Sequence, residues 1–172
     1  MITEEFRSEL KEYLRQHQIA ITASASVKKI AGAGVCIGGT LFSQDDCEEY
    51  IRNNKESSFL DTFWRYIDEK QLDYVAVYKN AQINRQHFSK IRNGQSQPSK
   101  KTIIRLAIAM KLDEPETEQL LHSAGFKLSK SFNVDLIVRF CLQNGCHDLR
   151  EIDGLIYELT SQSLMNESCF VS

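Results

Sequence analysis

Apolar positions along this chain recur at helical spacing, and cap and turn residues fall between the recurrences. In residues 3–18, Phe6, Leu10, Tyr13, Leu14 and His17 stand at i, i+4, i+7, i+8 and i+11. That is one stripe of a 3.6-residue repeat with charged residues opposite it. The stripe can pack on its own domain or serve a partner. Residues 19–43 lose the pattern: small and β-branched residues dominate, with Gly32, Gly34, Gly38 and Gly39. A flexible linker and a small β-hairpin both fit this stretch. Residues 45–52, DDCEEYIR, read as one or two helical turns with acids at the N-terminal end, where the helix dipole favours them.

From Ser57-Ser58 onward the periodicity is sustained. Ser58 with Asp61 predicts a capping box opening a helix over 59–70, with Phe59, Leu60, Phe63, Trp64 and Ile67 on its inner side. A second helix is expected over 73–80, with Val75, Val77, Tyr78 and Ala81 available for packing, then a turn at Gln82-Ile83. Asn84 can cap a third helix, in which Phe88 and Ile91 point inward. Gln86, Ser89, Lys90 and Asn93 then point outward, with Arg85 at the flank. Asn93-Gly94 stops this helix and Pro98 stiffens the loop. Ser99 caps a helix over 100–111, with Ile103, Ile104, Ala107, Ile108 and Met110 inside, and Asp113 caps one over 114–124 that ends at Gly125. Two apolar helices follow. Residues 132–143 carry Phe132, Leu136, Ile137, Phe140 and Cys141; residues 148–160 carry Leu149, Ile152, Leu155, Ile156 and Leu159. Both are too apolar to stay bare, so they cover the preceding helices or form a homodimer interface. The pattern divides the chain into an N-terminal segment (1–57), a central helical domain (58–127), a helical pair packed on it (128–164) and a frayed tail (165–172).

Charge sharpens this picture. The net charge is -2, yet positions 79–111 hold Lys79, Arg85, Lys90, Arg92, Lys100, Lys101, Arg105 and Lys111 and no acid. Such a face attracts a polyanion even on a slightly acidic protein. The cysteines, Cys36, Cys47, Cys141, Cys146 and Cys169, are odd in number and include no CxxC pair, which suits reduced thiols in a cytoplasmic protein. The spacing of Cys141, Cys146 and His147 matches no common zinc pattern, so no metal and no cofactor are expected. The glycines of 32–39 have no preceding strand and no following GKS or GKT, which argues against a phosphate loop. His17, His87, His122 and His147 fall in separate elements, and no nucleophile–base pair stands out, so the chain does not read as an enzyme. The longest weakly polar run, Ile30–Phe42, is too short to span a membrane. The acidic, amphipathic N-terminus does not read as a signal peptide.

The stretch Leu72–Gly94, LDYVAVYKNAQINRQHFSKIRNG, resembles the Cro/C1-type (lambda-repressor-like, XRE family) helix-turn-helix domain. The resemblance covers about 59–125 and implies an all-α, five-helix domain. In it Leu72 opens the second helix, Ala81-Gln82-Ile83 takes the turn, Phe88-Ser89-Lys90-Ile91 takes the core of the third helix, and Asn93-Gly94 and Pro98 take the loop. The N-terminal segment and the two C-terminal helices are extensions of that domain. The resemblance implies a sequence-specific binder of double-stranded DNA, a small transcriptional regulator acting as a homodimer on half-sites about 34 Å apart. It places Arg85, Gln86 and Lys90 at base edges and Tyr74, Ser89, Arg92, Asn93, Lys100 and Lys101 at phosphates. The chain departs from the family pattern at Tyr78, where a small residue is usual, at Gln82, where the turn glycine is usual, and at Tyr74, where a glutamine is usual. Residues up to about 164 are also similar to an XRE-like module found after macro and other domains in longer bacterial proteins. That similarity implies an alternative, a non-catalytic adaptor holding another protein through 1–58 or 132–160.

Overall fold

A computed structural model describes residues 4–24 and 44–165, with side chains placed for 5–15 and 48–165. Among these residues every regular element is helical: α1 (Glu4–Ser24), α2 (Gln44–Asn54), α3 (Phe59–Glu69), α4 (Tyr74–Asn80), α5 (Arg85–Arg92), α6 (Lys100–Ala109), α7 (Glu114–His122), α8 (Asn133–Gln143) and α9 (Leu149–Thr160). The expected helices fall where the capping residues put them. The N-terminal helix is longer than expected. It runs through 19–24, which the loss of periodicity assigned to a linker or hairpin. No glycine or proline interrupts the chain before Gly32, so nothing local stops the helix. The glycine-rich 25–43, the hairpin and phosphate-loop readings attached to it, Cys36 and Cys169, the side chains of His17 and Cys47, and the tail 166–172 lie outside what is described.

The caps explain the boundaries. Ser58 and Asp61 bond reciprocally at the start of α3, and Asp113 and Glu116 do so at α7. Asp73, Asn84, Ser99 and Asp148 each accept from first-turn N–H groups of α4, α5, α6 and α9. Each cap satisfies donors that a helix start leaves without partners, worth about 1 kcal/mol. α8 is the exception. Its N-cap is Phe132, which makes no side-chain cap bond and is 64% exposed, so Phe132 is not the core residue its helical register predicts.

α6 lies at the centre. Every residue from Thr102 to Ile108 is buried, and the helix meets α4, α7 and α9. A helix apolar nearly all round is stable only when enclosed in this way. α3 meets α7, where the Tyr66 hydroxyl donates to Gln119 Oε1 at 2.6 Å. α8 packs against α9, α7 and α1. Phe140 of α8 lies 5.1 Å from the rings of both Phe6 and Tyr13, and Leu10 and Leu14 are buried beside them. The stripe of α1 therefore serves its own chain. So do the apolar faces of α8 and α9, which bury Leu136, Ile137, Phe140, Ile152 and Ile156 within the same core. Polar ties hold the outer layer: Arg139 pairs with Glu114 and Glu118, Arg7 with Glu158, and Lys70 with Glu116 at 3.0 Å. In α2 the side chains from Glu48 to Asn54 are all exposed. Among the described residues no helix is long and apolar enough to cross a membrane.

Candidate nucleic-acid interface

α5 is short, and its position is set from behind. Phe88 and Ile91 are 4% and 2% exposed. Phe88 meets Phe63 of α3 edge-on at 5.9 Å, stacks on Tyr78 of α4 at 5.1 Å, and lies parallel to Tyr74 at 6.4 Å. Trp64 closes the group at 5.8 Å from Tyr74. Tyr78, a bulky residue at the crossing of α4 and α5, is accommodated by stacking on the ring that anchors α5. Aromatic pairs at these separations add about 0.5–1.5 kcal/mol each beyond the area they bury.

The turn between α4 and α5 accommodates Gln82 by taking φ +54°, the left-handed conformation glycine adopts without cost. The Gln82 and Ile83 N–H groups return to the carbonyls of Lys79 and Tyr78, both at 2.9 Å, so α4 ends in a Schellman motif despite the side chain. A second clamp comes from α6. The buried Arg105 guanidinium donates from Nε to the Ala81 carbonyl at 2.8 Å and from Nη2 to the Gln82 carbonyl. A cation at these carbonyls complements the negative end of α4. Charge alone groups Arg105 with the cations of the acid-free stretch; its side chain is 5% exposed and holds the turn instead. The signal was present in the sequence, since a lone arginine between Ile104 and Leu106 in an apolar helix has no solvent to face.

The front of α5 is different. Arg85, Gln86, Lys90, Arg92 and Asn93 are exposed, and Ser89 is half-buried. Among the described residues, the side chains of Arg85, Gln86 and Lys90 have no hydrogen-bond or ion-pair partner. Arg92 lies 5.9 Å from the Tyr74 ring, a cation–π arrangement that leaves its donors outward. Asn93 ends the helix, with its N–H on the Ser89 carbonyl at 3.0 Å, and Gly94 follows at φ +69°.

The expected phosphate contacts do not all join this face. Tyr74 lays its ring against Phe88 and Trp64 and so packs against α5, while remaining 36% exposed. Lys100 pairs with Asp135 of α8, which is 4% exposed and whose Oδ2 also accepts from the Ser129 N–H at 2.8 Å. Lys101 donates to the Ser163 carbonyl at 2.8 Å. Both lysines are therefore committed to the C-terminal part of the chain. Their sequence position, at the start of a helix following a basic loop, does not reveal partners so distant along the chain.

Cys141 is buried at the end of α8, and half-buried Cys146 returns its N–H to the Cys141 carbonyl at 2.9 Å. The neighbouring Cys141 thiol lowers the Cys146 thiol to about 7, and Cys146 together with burial raises Cys141. Burial, then Lys111 and Lys70, hold His147 below the usual histidine range, against the opposing pull of Asp113 and Glu116. Among the described residues, no three His, Cys, Asp or Glu side chains are grouped to hold a metal ion.

Compared with protein-family models, curated proteins and solved structures, the chain matches none of them.

Proposed function

We propose that the protein binds double-stranded DNA through the outer face of α5, and that α4, its turn and α5 act as a helix-turn-helix of the lambda-repressor-like kind. The observation that carries this reading is the two-sidedness of α5. Its inner side is fixed by Phe88 and Ile91, and its outer side presents Arg85, Gln86 and Lys90 without partners in a segment that contains no acid. A helix with side chains is about 10–12 Å across and the major groove about 12 Å wide, so such a helix fits the groove. Arg85 suits the guanine O6/N7 edge and Gln86 the adenine N6/N7 edge. Arg92 and Asn93, with the loop behind them, supply phosphate contacts; Lys100 and Lys101 are left out because Asp135 and Ser163 hold them. The reading is of a cytoplasmic regulator. Selection of preferred sites from random duplexes tests it. Arg85→Ala should relax preference at one base position by about 1–3 kcal/mol while leaving other positions unchanged. If the variant selects the same sites as the parent, α5 does not read the bases.

One observation favours a second reading, an adaptor that holds a protein partner. α2 exposes Tyr50 at 69% and Ile51 at 62%, on a helix whose described side chains are all turned to solvent. Tyr50→Ser with Ile51→Ser should abolish recovery of a stoichiometric protein partner and leave DNA retention as it was. Equal recovery by the variant would remove α2 from consideration.

A further inference from the structure

Among the described residues, two open clefts carry cations outside the α5 face, and they differ in how those cations are used. The larger, about 590 Å³, contains Lys100 and Lys101, both already engaged within the chain. The other, about 440 Å³, opens between the end of α4, the end of α6 and the start of α9. It is lined by Lys79, Lys111 and Arg150, together with Gln82, His147 and Asp148. Among the described residues, the side chains of Lys79, Lys111 and Arg150 have no ion-pair or hydrogen-bond partner. The only acid in the lining, Asp148, is turned to the start of α9, where its Oδ1 accepts from the N–H groups of Arg150 at 2.9 Å and Glu151 at 3.2 Å.

The helix ends that border this cleft are partly neutralised within the chain. The Tyr78 and Lys79 carbonyls of α4 are taken by the turn N–H groups, and Arg105 takes the Ala81 carbonyl just beyond the helix. In α6 the Ile108 carbonyl accepts from the Lys111 N–H at 3.0 Å and the Ala107 carbonyl from the Leu112 N–H at 3.0 Å. Lys111 and Gln82 occupy equivalent places in these two Schellman motifs, each at φ +54°. Glycine adopts this conformation without strain, so each side chain on the rim of the cleft is held at a cost to the fold, as are Gln71 and Ser161 elsewhere. His147 is held toward its neutral form and adds no acid to the lining.

We propose that this cleft binds a small phosphorylated ligand, whose multiple negative charge suits three cations and whose size suits an open site of this volume. The binding itself is independent of the DNA reading. Its consequence for α5 rests on that reading: Gln82 belongs both to the cleft wall and to the turn that sets the entry of α5, so occupancy fixes the angle at which α5 meets DNA.

The test is calorimetric titration of the full chain with inorganic pyrophosphate, in the absence of DNA and at matched ionic strength. Saturable one-to-one binding is expected, weakened by about tenfold or more in Lys111→Gly and in Arg150→Gln, with Lys90→Gln unchanged. Lys111→Gly should melt at or above the temperature of the parent, because it relieves the left-handed backbone, so a loss of binding in it cannot come from unfolding. Bound pyrophosphate should also raise the midpoint at which His147 titrates, by offsetting Lys111 and Lys70 against the unchanged Asp113 and Glu116. Pyrophosphate binding that Lys111→Gly and Arg150→Gln leave unaltered overturns the site. So does the absence of saturable pyrophosphate binding combined with a loss of DNA affinity in these variants, which would make the cleft a seat for backbone phosphate.

Discussion

The cations of α5 and those of α6 come from one acid-free stretch, yet the structure uses them in opposite ways. On α5, Arg85 and Lys90 are exposed and have no partner among the described residues. On α6, Lys100 has a buried carboxylate, Lys101 a carbonyl, and Arg105 two carbonyls at the turn. Charge along a sequence therefore measures how much positive potential a segment could offer, while the fold decides how much of it stays available. An exposed lysine is cheap to redirect, since a surface pair contributes only about 0–1 kcal/mol. A buried carboxylate such as Asp135 needs its cation, and this need draws Lys100 inward.

The contrast can be broken most severely from behind α5. Phe88→Ala removes the ring on which Phe63, Tyr74 and Tyr78 converge and should destabilise the protein by about 3–5 kcal/mol in denaturant unfolding. An unchanged unfolding midpoint would mean that α5 is not held by this ring. Next in size are the committed cations. Lys100→Ala leaves Asp135 buried without its partner and should lower stability by about 3 kcal/mol, and Arg105→Met should cost a similar amount through the freed carbonyls of Ala81 and Gln82. If Lys100→Ala unfolds like the parent but loses DNA affinity uniformly, Lys100 belongs with the α5 cations. The free cations should show the reverse: Arg85→Ala and Lys90→Ala should keep stability within about 0.5 kcal/mol. The smallest effect concerns reactivity. The lowered Cys146 thiol is mostly thiolate above about pH 7, so alkylation by iodoacetamide should rise through that pH and fall below it, faster than at Cys141 throughout. Equal rates at the two cysteines would show that Cys141 does not lower the Cys146 thiol.

How far the sequence anticipated this molecule depends on the range of the interactions. Helix starts were legible because each cap is local: Ser58 with Asp61, Asn84, Ser99 and Asp113 all bond within three residues. The inner positions Phe88 and Ile91 were legible from their spacing. The unusual turn residue Gln82 was legible as a departure, but its accommodation at positive φ depends on Arg105, a contact spanning 23 residues. The pairing of Lys100 spans 35 residues and that of Lys101 spans 62, and no local pattern encodes either. Phe132 misled because helical register was carried one residue too far; at the N-cap its backbone leaves the helix and its ring goes to solvent. The proposed base-facing roles of Arg85, Gln86 and Lys90 rest on the resemblance and on the exposure of α5 together.

The most direct test of the central claim is the salt dependence of binding to duplex DNA by the full chain and by Arg85→Ala/Lys90→Ala. Each phosphate neutralised should steepen the log–log slope by about 0.9. The account predicts a steep slope for the parent and, for the folded double variant, weaker binding with a shallower slope. No binding by the parent at low salt, or an identical slope in the variant, would contradict it.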